Sequence, residues 1–339
     1  MKLRYLLIPV AAIGMAWVGA TYYFVRQVRT YPPVTHDDPF TDPAQIVEYG
    51  LEGKRTPGDF GYSNYQVVSY PTMPDDLNLS AWWMPAENDD ADAAVLFVHG
   101  RQANRLKPMK YLPLVRAAGL AASHHVLLPD LRNSGDSEPG ATSMGWEFAE
   151  DVVSSVEYLA SRGVRSVTIY AFSMGALATA VMYERPELNE RLKATGIVVE
   201  RIVFDSPLAD VEATLRGVAT RDGIPRPLIS SAMLGFDLSI GRNLDRLTIG
   251  QFISAPPAPL LILQGTDDEI TFFPIFEHIT ERAAPSVQIE TFEGARHVKM
   301  LTDPAHRERY SQIVTDFLHN SARADTATQA SNLRTEPDA

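Results

Sequence analysis

From Tyr65 onward the chain alternates short, wholly apolar runs with amphipathic stretches of helical spacing, and this rhythm constrains the fold most. Tyr65–Tyr70 and Leu79–Met84 read as two strands parted by a turn at Pro74-Asp75-Asp76. Further strands are expected at Ala93–Val98, His125–Leu128, Ser166–Phe172, Arg201–Phe204, Leu260–Gln264 and Val287–Phe292. Helices are predicted between them over Pro108–Ala118, Trp146–Arg162, Met174–Tyr183 and Phe273–Ala283, with Asp303–His319 last. Short strands without a polar face must be covered on both sides. The expected class is therefore α/β, a mostly parallel central sheet with helices on both faces. Leu208 to Ile253 breaks the rhythm: it is helical in pieces, punctuated by Pro225, Pro227 and several Gly. It is expected as a short helical cap, about 208–253, inserted over the strand ends. In such sheets chemistry gathers at the C-terminal ends of the strands.

Tyr5 to Val25 carries no charged residue, about the length needed to cross a ~30 Å hydrocarbon core as a helix. Tyr5, Tyr22 and Tyr23 sit at its edges, and Arg26 and Arg29 follow. Residues 1–29 are therefore read as an N-terminal membrane anchor. The competing reading is a cleaved signal peptide with Val18-Gly19-Ala20 as its small-residue site. The apolar run continues through Tyr22–Val25, which favours the anchor. Lys2 and Arg4 before the span nearly balance Arg26 and Arg29 after it, leaving the side open with a lean towards the extracytoplasmic face. Residues 30–61, rich in Pro, Asp and Gly, read as a linker, 62–321 as the main domain and 322–339 as a disordered tail. Thirty Lys and Arg against 42 Asp and Glu give a net charge of −12, which argues against a nucleic-acid partner. The absence of Cys excludes disulfides, thiolate metal sites and a cysteine nucleophile.

Ile169 to Ala178 is the most informative stretch: a β-branched run ends at Ser173, and small residues begin a helix immediately after it. A Ser in so sharp a turn is lifted to the sheet top with its hydroxyl exposed, and Ala171 and Gly175 let the turn approach adjacent strands. A Ser there can also simply cap a helix. Acting as a nucleophile, it needs a base and an orienting acid. His297 follows Val287–Phe292, and Asp268 follows Leu260–Gln264. All three residues are expected at strand C-termini, in the chain order Ser, Asp, His. Asp267 is the alternative acid, and Asp205, after the preceding strand, a more distant one. Two N–H donors are also needed for a developing oxyanion. The backbone of Met174 is the first; the second is Arg101, after His99-Gly100, with Gln102 as the alternative. His99 is expected to shape that loop from a buried position.

These residues resemble the α/β-hydrolase superfamily over about residues 67–319. The marks are His99-Gly100, Asp130-Leu131-Arg132-Asn133-Ser134-Gly135-Asp136-Ser137, Ala171-Phe172-Ser173-Met174-Gly175, Gly265-Thr266-Asp267-Asp268 and Gly294-Ala295-Arg296-His297. Among subgroups the chain is similar to membrane-anchored α/β-hydrolase-domain proteins and to serine aminopeptidase-like hydrolases. Ala171 stands where Gly is usual, and Gln264-Gly265 where His-Gly is frequent. The stretch after Asp268 is longer than the usual pattern. The resemblance implies a serine hydrolase that cleaves a carboxylic ester through Ser173, Asp268 and His297, with Met174 and Arg101 as the oxyanion hole and no cofactor or metal. Asp130 and Arg132 would brace the adjacent loop. The expected partner is a small acyl substrate. Cap residues Leu228, Met233, Leu234 and Phe236, with Phe272, Phe273 and Phe276, are candidates to line an apolar pocket. Peptide cleavage from an N-terminus is a rival reading, with Glu147, Asp210 or Glu269 to hold the amine. Acyl transfer is another, and a catalytically silent membrane-bound scaffold a third.

Overall fold

The computed structural model describes the backbone of residues 3–241 and 247–332, with side chains described over 14–241 and 247–319 apart from Glu48 and Ile240. Eight strands form one sheet in the order β1-β2-β4-β3-β5-β6-β7-β8. They are β1 (Gln66–Pro71), β2 (Asn78–Met84), β3 (Ala93–Val98), β4 (His124–Pro129), β5 (Ser166–Phe172), β6 (Val198–Asp205), β7 (Leu260–Gly265) and β8 (Gln288–Phe292). β2 runs antiparallel to its neighbours and β3 to β8 run parallel. β3 and β7 are buried along their whole length, as strands covered on both faces must be.

The helices are α1 (Leu3–Arg29), α2 (Pro43–Glu48), α3 (Leu112–Ala117), α4 (Phe148–Ser161), α5 (Met174–Glu184), α6 (Pro186–Ala194), α7 (Val211–Arg221), α8 (Arg226–Ile240), α9 (Gly250–Ser254), α10 (Phe273–Thr280) and α11 (Arg307–Asn332). They divide the interior into two apolar cores. One core holds Phe148, Val152 and Val156 of α4 with Ala176 and Ala180 of α5. The other holds Leu112 and Val115 of α3 with Tyr310 and Val314 of α11. Residues 208–253 contain α7, α8 and all of α9 but its last residue. Where the segment leaves and rejoins the sheet, the Val211 N–H donates to Leu247 O and the Ile249 N–H to Ala209 O. The expected tail, 322–339, lies outside the residues whose side chains are described.

The first part of the expected membrane anchor, residues 1–13, lies outside the residues whose side chains are described. Among the described residues no helix is long and apolar enough to cross a membrane, so the span expected near residues 5–25 has no support here. The C-terminal part of α1 instead packs on the cap. Thr21 Oγ1 lies 3.3 Å from Ser231 Oγ, and a Cβ at Gly235 would come within 3.1 Å of Val25. Val28 and Tyr31 are buried in the core.

Candidate active site

β5 ends at Phe172, α5 begins at Met174, and Ser173 makes the turn alone with φ 51° and ψ −120°. A non-glycine residue in that conformation is strained and persists only where its surroundings hold it. Two glycines allow the close packing that does so. A Cβ at Gly175 would lie 2.5 Å from the carbonyl oxygens of Val98 and His99, and one at Gly100 would lie 2.9 Å from Ser173 Cβ. The spacing of small residues around Ser173 thus reflects direct backbone-to-backbone contact between the β5 turn and the end of β3.

Ser173, His297 and Asp268, far apart along the chain, meet at the C-terminal ends of β5, β8 and β7. Ser173 Oγ is 3.0 Å from His297 Nε2, and His297 Nδ1 is 2.7 Å from Asp268 Oδ2. Asp268 is buried and its neighbour Asp267 exposed, so the carboxylate facing the ring is that of Asp268. The longer stretch after the acid folds back around it. Asp268 accepts hydrogen bonds from the N–H groups of Ile270 and Thr271 at 2.9 and 2.8 Å, from Thr271 Oγ1 at 2.7 Å and from Gln264 Nε2 at 3.0 Å. Burial pushes its pKa up, but the His297 contact and these donors outweigh burial and hold it below the usual carboxylate range. An acceptor-only carboxylate leaves Nδ1 as the protonated ring nitrogen and Nε2 free to accept the Ser173 proton.

The carboxylate of Asp205 is engaged by other partners. Fully buried at the end of β6, it accepts from Tyr111 at 3.0 Å, Tyr310 at 2.6 Å and Ser206 at 3.0 Å, and burial raises its pKa. Its neighbour Ser206 accepts from the Val298 N–H at 3.0 Å, which helps hold the loop carrying His297. His99 is buried as expected: its Nε2 accepts from the Leu131 N–H at 2.9 Å, so Nδ1 donates to Gly100 O at 2.8 Å, and burial keeps the ring neutral by lowering its pKa. Asp130 receives the Arg105 N–H at 2.8 Å and pairs with His36 at 2.8 Å. Arg132 binds Asp151, Glu150 and Asp75 from a fully buried position.

Ser173, His297, Met174, Arg101 and Gln102 line one cavity of about 510 Å³. Its apolar wall differs from expectation. Leu208, Leu215, Val218, Ile270 and Met144 line it, whereas Leu228, Met233, Leu234, Phe236, Phe272, Phe273 and Phe276 do not. Met233, Phe236 and Phe276 are instead buried in the core, Leu234 is exposed, and Phe272 packs over Gly217. Sequence periodicity finds apolar positions on a helix but not which helix faces the cavity; α7 does, and α8 lies behind it against α1. The lining also carries Arg101, Lys107, Lys110, Arg296 and Lys299, opposed among the described residues by Glu269 alone. Sequence reasoning missed this basic lining, which is assembled from two segments far apart in sequence, 101–110 after β3 and 296–299 after β8. Of the other acidic candidates, Asp210 caps α7, and Glu147 accepts from Ser143 at 2.9 Å away from this cavity.

Comparison with known proteins agrees with this architecture. The model of the alpha/beta hydrolase family matches residues 95–309. Similar solved structures include an esterase of Pyrococcus furiosus, with TM-score 0.57 and 23% identity, covering 78% of this chain and 94% of that one. An esterase of Thermogutta terrifontis has TM-score 0.53 and 16% identity, covering 78% and 93%. The alpha/beta hydrolase GrgF of a Penicillium species has TM-score 0.51 and 16% identity, covering 76% and 98%. At these identities the likeness is one of fold. No curated protein matches the chain by sequence.

Proposed function

The chain belongs to the alpha/beta hydrolase family, and from that premise we propose that it hydrolyses a carboxylic ester through an acyl-enzyme on Ser173. The observation that carries this reading is the unbroken relay from Ser173 Oγ through His297 to Asp268, at 3.0 and 2.7 Å, opening into the cavity.

In the proposed cycle His297 Nε2 takes the Ser173 proton as Oγ attacks the ester carbonyl. Asp268, held ionised by its donors, fixes the ring tautomer and stabilises the imidazolium. The carbonyl oxygen becomes an oxyanion beside the N–H groups of Met174 and Arg101. Arg101 directly follows Gly100 and is taken as the second donor, with the Gln102 N–H as the alternative. The imidazolium returns the proton to the departing alcohol. A water molecule then gives its proton to His297 and attacks the acyl carbon, and Ser173 leaves with that proton restored. Removing one oxyanion donor typically costs about 10²–10³ in kcat.

Cleavage from a peptide N-terminus is less well supported, because the cavity lining is basic and would repel an ammonium group. The apolar wall suits an acyl or alcohol chain of moderate length. The test is hydrolysis of p-nitrophenyl esters together with fluorophosphonate labelling. Wild type is expected to turn over the ester and carry the adduct on Ser173, while Ser173→Ala does neither. Equal turnover by that variant would refute the reading.

A further inference from the structure

We propose that the last turn of α1 and the segment after it, residues 27–36, form a strap that sets the oxyanion loop, with Arg101 and Tyr31 as positioning residues. This rests on the hydrolytic reading above and assigns a role to a part of the chain that the sequence suggests only as anchor and linker.

The loop after β3 needs such a constraint. Gln102 has φ 54°, a left-handed conformation unfavourable for a residue with a side chain. Its neighbour Gly100 lies too close to Ser173 to admit a Cβ. His99 holds the start of the loop from beneath, through Gly100 O and the Leu131 N–H. The following residues are held by the strap. Arg101 Nη2 donates to Gln27 O at 2.5 Å and Thr30 O at 3.3 Å. These are carbonyls at the end of α1, where a helix leaves acceptors unsatisfied and its dipole attracts a cation. The guanidinium lies 4.9 Å from the centre of the Tyr31 ring, and the Tyr31 hydroxyl lies 3.3 Å from Ser134 Oγ. Asn104 Nδ2 donates to Thr35 O at 2.9 Å.

The strap is itself fixed on the other side. The Val34 N–H donates to Asn133 O at 3.0 Å, the Gly135 N–H to Val34 O at 2.7 Å, and Asn133 Nδ2 to Thr30 Oγ1 at 2.9 Å. His36 pairs with buried Asp130. The strap therefore ties the loop after β3 to the loop after β4. Arg101 is held by its side chain at one end and by the Gly100 contact at the other, and its N–H is aimed by both.

A merely stabilising strap would lower the melting temperature without changing kcat well below it. A positioning strap makes a different prediction, testable in the full chain with a p-nitrophenyl ester. Arg101→Met keeps the length of the stem and loses the donors; kcat should fall about 30–100-fold with KM within about threefold. Arg101→Lys restores a cation at the helix end and should recover about tenfold of that loss. Tyr31→Phe removes one hydroxyl, keeps the core filled, and should lower kcat about three- to tenfold. Affinity for a boronic acid that mimics the tetrahedral state should fall in parallel with kcat. Wild-type kcat in both Arg101→Met and Tyr31→Phe would overturn the strap. Ser173→Ala reports separately on the hydrolytic reading, since turnover retained in that variant would sink the reading whatever the strap variants do.

Discussion

At the residue scale, the behaviour of Asp268 turns on two opposing effects. Burial disfavours its charge, but donors from His297, Thr271, Ile270 and Gln264 favour it, and the donors win. The carboxyl therefore stays ionised through the neutral range. Asp268→Asn keeps the shape but replaces an acceptor-only group with an amide that can donate, which favours the opposite ring tautomer. kcat should fall by about 10³–10⁴, measured on a p-nitrophenyl ester at neutral pH. The same shift fixes a stability signature. A carboxyl whose folded pKa is depressed contributes stability that is present above its unfolded pKa and lost as pH falls through the folded one. Wild type should melt above Asp268→Asn at pH 7, and the gap should narrow below about pH 4, as calorimetry on both proteins would show.

At the element scale, the decisive contact is the turn from β5 into α5 against the end of β3. Gly175→Ala puts a methyl group 2.5 Å from two carbonyl oxygens that belong to the sheet and cannot swing away. The substitution should cost about 3 kcal/mol in denaturant unfolding, at the upper end for overpacking, and should lower labelling of Ser173 in the fraction that folds. This turn was legible in the sequence because its chemistry is local: a β-branched run, a Ser and small neighbours lie within ten residues. β3 and β7 were legible because burial on both faces leaves a mainly apolar run, whereas β1 and β8, largely exposed, were legible only from β-branched and aromatic residues bounded by turns. α6 was not, because it follows α5 with only Arg185 between them and shows no long apolar period. The cavity wall was also hidden. Leu215 and Val218 look no different in sequence from Met233 and Phe236, and only the way α8 packs on α1 decides which helix turns inward. Gln264 carried a readable signal, a lone amide closing an apolar strand, and its partner is the carboxylate of Asp268 at 3.0 Å.

At the scale of the whole molecule, a net charge of −12 and a basic cavity act in opposite directions on a charged substrate. The excess acid is spread over the chain, and charges farther apart than about 8–10 Å are largely screened at physiological salt. Arg101, Lys107, Lys110, Arg296 and Lys299 line the cavity itself, within that distance of a bound ligand, with Glu269 opposed. The near field therefore governs binding, and an aminoacyl group carrying an ammonium is disfavoured against a neutral acyl chain of similar size. Leucine p-nitroanilide confounds charge with the harder amide bond, so the informative comparison is between two p-nitrophenyl esters, one of valeric acid and one of 5-aminovaleric acid. kcat/KM for the amino ester should be at least about tenfold lower at low salt, and the ratio should shrink as ionic strength rises towards ~0.5 M, because screening removes the repulsion. A preference for the amino ester that weakened with salt would mean that the distant carboxylates or Glu269 control entry, and would return the peptidase reading to favour.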